Sequence, residues 1–241
     1  MANPCFQFKQ FTVYHHRSAM KVTTDSCFFG AWAATEIKNA EPKIERVLDI
    51  GTGTGLLSLM IVQKNKINID AVELDGPSAD QAMENIRASP WPNKIKVYNT
   101  DILSFDVRRK YDCIISNPPF YENELASEQE RKNLAHHSSR LSALDVIKTI
   151  EQNLKEGGLF FLMYPFKRKT EIEKLISKRK LSLVQSIILK QSFNHKPFRY
   201  IIMGRNQKTP SAKAIEICIW DDRQQYTREF TALLSDYYWH L

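Results

Sequence analysis

The sequence has no run of about 18 apolar residues, so no membrane-spanning helix is expected. Its first residues, MANPCFQFKQF, lack a basic stretch followed by an apolar core. No secretory leader is expected, and a cytoplasmic protein is the default. Cysteine is scarce: Cys5, Cys27, Cys113 and Cys218 are the only four, far apart and without a C-x-x-C pair. That excludes a disulfide scaffold and points to free thiols in a reducing compartment. Zinc ligands usually come in close pairs, so no metal site is expected, and His15-His16 and His136-His137 read as solvated loop residues. Glycine (8) and proline (10) are too few for a collagen-like or low-complexity chain. No internal repeat is present, which leaves out solenoids.

What remains is a 241-residue chain whose 43% hydrophobic content is enough for one substantial core. Lysine and arginine (34) exceed aspartate and glutamate (27), giving a net charge of +7. That excess favours a polyanionic partner, nucleic acid before membrane.

Residues 6–22 alternate and read as a short hairpin with His15-His16-Arg17-Ser18 at the turn. Thr24 or Asp25 is placed to cap a helix over the small-residue stretch CFFGAWAA. From Arg46 the pattern changes. Apolar strand candidates at Val47–Ile50, Ile67–Glu73, Ile95–Tyr98 and Tyr111–Ser116 alternate with helix candidates at Leu56–Gln63 and Pro77–Ala88. This alternation predicts an α/β fold with a mostly parallel sheet and helices on both faces. Further strands are expected at 159–164, 183–189 and 199–203, with another edge strand at 214–220. Residues 1–45 thus read as an N-terminal hairpin and helix added to one catalytic domain over 46–241.

Val47-Leu48-Asp49-Ile50-Gly51-Thr52-Gly53-Thr54-Gly55 places glycines just beyond a buried strand. There the backbone turns sharply and can approach a ligand closely. The N–H groups of the next helix face that ligand. Glu73, at the tip of the next strand, is placed to accept ribose hydroxyls. The spacing is G-x-G-x-G rather than the dinucleotide G-x-G-x-x-G, and Asp49 precedes the first glycine by two. A carboxylate there repels a pyrophosphate and suits a ligand with a cationic end. S-adenosylmethionine has an ammonium and a sulfonium; NAD has neither. Asp101, after the third strand, is placed to accept the adenine amino hydrogen, with Ile102 packing on the ring; an ordinary loop cap is its structural alternative. Leu74 is a further candidate to flank the adenosine.

Asn117-Pro118-Pro119-Phe120 follows the fourth strand and opens on the same crevice. The prolines hold the backbone extended and leave a carbonyl without a local partner. An amine conjugated to a ring is a poor nucleophile because its lone pair is delocalised. Two acceptors, Asn117 Oδ1 and the Pro118 carbonyl, can bind its two hydrogens, and Phe120 can stack on the ring. The catalytic task is positioning and electrostatics, with no general base required.

Asp49-x-Gly51-x-Gly53-x-Gly55, Glu73, Asp101 and Asn117-Pro118-Pro119-Phe120 together resemble the Asn-Pro-Pro-Tyr/Phe class of Rossmann-fold methyltransferases. Phe8–Phe11, Met20–Asp25, Gly30-Ala31-Trp32, Ala71–Leu74, Glu84-Asn85-Ile86 and Ser89-Pro90-Trp91 extend the resemblance to bacterial valine-tRNA adenine N6-methyltransferases over nearly the whole chain. The resemblance implies a seven-stranded sheet with one antiparallel strand and S-adenosylmethionine as donor. It also implies a tRNA substrate methylated at the adenine beside the anticodon, and Lys21 and Thr23 beside the cofactor. In the loop after Phe120, Arg131 and Lys132 are candidate RNA contacts; the sequence then runs into His136, where family members tend to carry a second arginine.

Lys167-Arg168-Lys169, Lys178-Arg179-Lys180 and Lys190–Arg199 (which holds Lys196) supply clustered charge, with Phe193, Phe198 and Tyr200 interleaved. Phosphate contacts and aromatic stacking suit tRNA; a solvated basic face is the plainer alternative. Other functions open at this stage are the same chemistry on rRNA, DNA or a protein glutamine, and a non-catalytic RNA-binding protein.

Overall fold

The computed structural model describes residues 3–18, 20–118, 141–209 and 212–241. Strands β1 (Cys5–Gln7) and β2 (Thr12–Tyr14) form a small hairpin, followed by helix α1 (Thr24–Lys38). Then come β3 (Arg46–Ile50), α2 (Leu56–Lys64), β4 (Asn68–Glu73), α3 (Gly76–Arg87), β5 (Ile95–Asn99) and β6 (Tyr111–Ser116). The second half holds α4 (Ala143–Asn153), β7 (Leu154–Pro165), α5 (Lys169–Ser177), β8 (Ser182–Lys190), β9 (Arg199–Arg205), β10 (Lys213–Cys218) and α6 (Arg228–Leu234).

The main sheet has the order β10-β8-β9-β7-β6-β3-β4-β5. Only β9 runs antiparallel to its neighbours, β7 and β8. Among the described residues the sheet therefore has eight strands rather than the seven expected: β10 pairs in parallel with β8 and covers that edge. The sequence pattern at 214–220 marked this strand; the family resemblance did not.

Alternation along each strand sorts the core into two halves. Val47, Cys113, Ile115, Phe161, Met163 and Ile201 face α1, α2, α3 and α6. Leu48, Ile114, Phe160, Leu162, Tyr200 and Ile202 face α4 and α5. Both faces are covered, which is why these strands read as continuous apolar runs. Helix α1 lies against α2 at Gly30, where an added Cβ would sit 2.6 Å from Met60 Sδ. The Gly30-Ala31-Trp32 stretch thus permits close helix contact.

The N-terminal hairpin turns earlier than expected. Its turn is Phe8–Phe11, closed by the Phe8 N–H on the Phe11 carbonyl (2.8 Å). The two rings stack at 4.5 Å, and Lys9 N–H and Nζ reach the carbonyls of Tyr237 and Ser235. Contacts with the C-terminal segment hold the turn there and override the polar residues at 15–18 that marked a turn locally. The cap of α1 is Thr23, one residue before Thr24 and two before Asp25, the expected positions; its N–H donates to Ser26 Oγ (3.2 Å).

Candidate functional site

All parallel strands end at one edge of the sheet: Ile50, Glu73, Asn99, Ser116, Pro165, Lys190 and Cys218. The antiparallel β9 begins there, with Arg199 opposite Pro165. The order reverses between β3 and β6, and this is where a crevice opens in such sheets. The Ser116 hydroxyl donates to the Ile50 carbonyl (2.8 Å) and ties the two strand ends together.

The glycine turn leaves β3 with Gly51, Gly53 and Gly55 at φ of 70°, 56° and 81°. Side chains strain this left-handed region. Gly51 and Thr52 N–H groups bond the Val72 carbonyl at 2.8 and 3.1 Å, which fixes the turn to β4. A Cβ at Gly55 would meet Ile86 and Ala82 of α3 at 3.5–3.6 Å, so α3 packs against the turn. Asn85 locks this arrangement. Its amide donates to the carbonyls of Thr54 (2.9 Å) and Tyr14 (2.8 Å), and its Oδ1 accepts the Tyr14 N–H (2.9 Å). One buried side chain therefore joins the hairpin, α3 and the glycine turn. Ser18 follows; its Oγ lies 3.4 Å from that of Ser78 and 3.9 Å from where a Gly53 Cβ would be.

Asp49 is fully buried. Its Oδ2 accepts hydroxyl hydrogens from Thr52 and Ser58, both at 2.7 Å. Its Oδ1 is buried without a hydrogen-bond partner among the described residues. Burial pushes the carboxyl up to about 6, against the opposing effect of the Thr52 and Ser58 bonds. Glu73 is oriented by the N–H groups of Gly53 (2.8 Å, to Oε2) and Asp75 (3.0 Å, to Oε1). Each carboxylate oxygen keeps acceptor capacity beyond these bonds. Asp75 in turn caps α3 by accepting the Ser78 N–H (2.9 Å). Asp101 Oδ1 accepts the Leu103 N–H (2.9 Å), which is the loop-cap geometry. Ile102 is buried beside Leu48, Ile50 and Val72. Leu74 is 55% exposed, and Lys21 and Thr23 lie on the surface just before α1.

On the neighbouring strand, Asn117 follows Ser116 with a buried Oδ1 that has no partner among the described residues, and Pro118 is buried. Pro119, Phe120, Arg131 and Lys132 lie outside the described residues. The two orphaned oxygens, on Asp49 and Asn117, thus stand on adjacent strands at the switch point. An unpaired buried acceptor is costly and signals a missing donor. A buried carboxylate oxygen asks for a cationic N–H donor, which fits the ammonium of S-adenosylmethionine; a neutral amide oxygen asks for a neutral N–H.

The basic groups are divided by the fold. Lys167 and Lys196 are exposed at the edge carrying the crevice. Arg168 there is paired with Glu171 (2.6 Å) and Lys169 with Glu173 (3.1 Å). Arg199 Nε is bonded to the buried Asp25 (2.5 Å), joining β9 to α1. Lys178-Arg179-Lys180 lie just before β8 begins, at the opposite edge, where Arg179 pairs with Glu151 (2.6 Å). That cluster does not join the others. Thr52, Ser58, Asn85 and Ser116 were not identified as site residues from sequence. Only Ser58 and Thr52 carried a local signal, being polar residues within an otherwise apolar turn and helix.

Fold and crevice together define a Rossmann-fold, S-adenosylmethionine-dependent methyltransferase. Residues 34–193 match the family described as "Methyltransferase small domain". Among solved structures, a predicted O-methyltransferase from Agrobacterium tumefaciens shares the fold with a TM-score of 0.62 at 15% identity, over 84% of this chain and 95% of that one. A methyltransferase from Pyrococcus furiosus does so with a TM-score of 0.58 at 21% identity, over 81% and 88%. The tRNA1(Val) (adenine(37)-N6)-methyltransferase of Parabacteroides distasonis is 36% identical over 240 residues, 99% of each chain. That of Trichodesmium erythraeum is 36% identical over 244 residues, 97% of each. The chain belongs to the tRNA1(Val) (adenine(37)-N6)-methyltransferase family. Among the described residues, no helix is long and apolar enough to cross a membrane.

Proposed function

We propose that this chain, a cytoplasmic enzyme, transfers a methyl group from S-adenosylmethionine to the N6 amino group of the adenine beside the anticodon, position 37, of valine tRNA. The observation that carries this reading is the pair of orphaned buried oxygens at the switch point, Asp49 Oδ1 and Asn117 Oδ1. The names carried by the full-length relatives support the substrate.

When bound, S-adenosylmethionine supplies an electrophilic methyl group on a positively charged sulfur. Asp49, Glu73 and the glycine turn hold its cationic and ribose ends, with Asp101, Ile102 and Leu74 around the adenine and Lys21 and Thr23 at the rim. Asn117 Oδ1 and the Pro118 carbonyl accept the two hydrogens of the target amine. This draws the nitrogen lone pair out of conjugation; Pro119 and Phe120, outside the described residues, keep the roles the motif assigns them, an extended backbone and a ring to stack on the base. The amine becomes acidic on alkylation, and its proton leaves to water without a dedicated base. Preorganised acceptors carry the rate enhancement. A base in a single-stranded loop is cheaper to extract into such a pocket than a paired one.

Residues 1–45 act in this reading as an addition packed on the catalytic domain, 46–241. The Asn85 bonds that join Tyr14 to Thr54 support it. Lys167 and Lys196, with Arg131 and Lys132, meet phosphates. The internal pairing of Arg168, Lys169 and Arg199 supports a structural share for those three.

The test is methyl transfer from labelled S-adenosylmethionine to unmodified bulk tRNA, with nucleoside analysis, then to purified valine tRNA. Label in N6-methyladenosine is expected. Donor binding with no label in RNA overturns the substrate and moves the target to protein or DNA. Donor binding with no transfer to any of these leaves an RNA-binding protein.

A further inference from the structure

Three aromatic rings are interleaved with basic residues between Lys190 and Tyr200, and the fold treats them differently. Tyr200 is fully buried and donates its hydroxyl hydrogen to Glu173 (2.7 Å). Phe198 is half-buried beneath the Arg199 guanidinium (5.3 Å from the ring centre). Phe193 alone is presented to solvent, 60% exposed.

Phe193 sits on a tied turn. The His195 N–H donates to the Ser192 carbonyl (3.1 Å), and the Ser192 hydroxyl meets His195 Nδ1 (2.7 Å). The base of the loop is fixed on both sides. Phe198 N–H bonds the Leu189 carbonyl (3.0 Å), Phe166 N–H the Phe198 carbonyl (3.1 Å), Ile219 N–H the Lys190 carbonyl (3.0 Å) and Trp220 N–H the Gln191 carbonyl (2.8 Å). The backbone that carries the ring therefore has little conformational freedom left to lose when the ring meets a partner.

The turn leaves the end of β8, at the edge where β6 ends at Ser116, just before Asn117. Between them lie β7 and β9, so the loop stands three strand spacings, about 14 Å, across the sheet from the target strand. Exposed Lys196 is on the same loop and exposed Lys167 just past β7, on a chain of net charge +7. A second copy of this chain would set positive charge against positive charge. A flat ring beside lysines matches an unpaired base flanked by phosphates.

We propose that Phe193 stacks on an unpaired base of the RNA substrate close to the one that is methylated, and so contributes affinity from outside the pocket. This rests on the tRNA reading above. The experiment is steady-state methylation of unmodified valine tRNA by the full chain and its Phe193→Ala, Phe193→Leu and Phe193→Tyr variants. Phe193→Ala is expected to raise KM for tRNA about tenfold. Its KM for the methyl donor and its kcat at saturating tRNA stay within about twofold. Phe193→Tyr keeps the π face and retains the wild-type KM; Phe193→Leu keeps only apolar bulk and behaves as Phe193→Ala. An unchanged KM in Phe193→Ala overturns the proposal. So does full rescue by leucine, which would mean apolar packing, or a change of oligomeric state in Phe193→Ala, which would mean a protein contact. Absence of product from the wild-type chain on tRNA overturns the substrate reading and this inference together; product with an unchanged Phe193→Ala overturns this inference alone.

Discussion

Asp49→Asn separates what the buried carboxylate costs the fold from what it contributes to binding. The side chain is fully buried, and burial raises its carboxyl from 3.8 to about 6. The folded protein therefore holds that proton more tightly than the unfolded chain. The destabilisation is fully present above about pH 6 and fades as pH falls toward 3.8. At neutral pH it corresponds to about 3 kcal/mol. In Asp49→Asn the amide oxygen still accepts the Thr52 and Ser58 hydroxyls. The amide nitrogen then takes the place of Oδ1, and burying its N–H groups without an acceptor costs about 1–2 kcal/mol. The ligand-free variant is expected to be about 1–2 kcal/mol more stable at pH 7.5, melting roughly 2–8 °C higher. The gain shrinks below pH 6. Donor binding moves the other way. A unit charge facing an ammonium at about 4 Å is worth up to about 4 kcal/mol at an effective dielectric constant of 20, so affinity falls by up to roughly a thousandfold. Thermal melts between pH 5 and 8 and calorimetric titration with S-adenosylmethionine read the two effects. A variant that melts below wild type at pH 7.5 refutes the charge-burial argument. A donor Kd equal to wild type refutes the cation site.

Asn117→Ala removes the acceptor proposed for the target amine, so kcat falls about 10²- to 10³-fold, and any accompanying rise in donor Kd reads its share in holding the cofactor; full activity would discount the residue. Arg199→Ala strands Asp25, whose side chain is 9% exposed, and should cost about 3 kcal/mol, lowering the melting temperature by roughly 6–12 °C. An unshifted melt would mean that the pair contributes nothing to the fold. Replacing Lys167 and Lys196 by alanine should weaken tRNA binding and lower the slope of log affinity against log salt by about 1 per lysine. Lys178→Ala with Lys180→Ala, at the far edge, should leave that slope unchanged; equal effects of the two pairs would dissolve the division of the basic surface.

The placement of Asp49, the glycine turn and Glu73 at one end of the sheet was readable in sequence because its signals are local. A buried strand, glycines at its end and an acid at the tip of the next strand define Asp49, the turn and Glu73 within about 25 residues. Strand alternation likewise revealed the two-sided sheet, including its edge strand β10. What could not be read depends on distant partners. Arg199 and Asp25 are 174 residues apart, and nothing near Arg199 shows that it is committed to an ion pair rather than to phosphate. Asn85 looks like an ordinary helix residue until Tyr14 and Thr54 are brought to it. The hairpin turn followed the contacts of Phe8 and Lys9 with the C-terminal segment rather than turn propensity. Asp49 Oδ1 and Asn117 Oδ1, without partners among the described residues, were legible as residues but not as orphans, since burial decides whether a missing bond matters.

The hydrogen bond from Ser116 to the Ile50 carbonyl joins two strands whose tips carry opposite halves of the chemistry. On one side, in the proposed reading, β3, β4 and β5 handle a reagent common to many reactions. On the other, in the proposed reading, the ends of β6 and of the strands beyond it face whatever is to be modified. The seam between them fixes the span across which a group must travel, independently of either side. Such a chain works like a tool with a fixed throat and an exchangeable jaw. Lengthening or recolouring the segments after β6 and β8 alters what is admitted and leaves the span of transfer as it was.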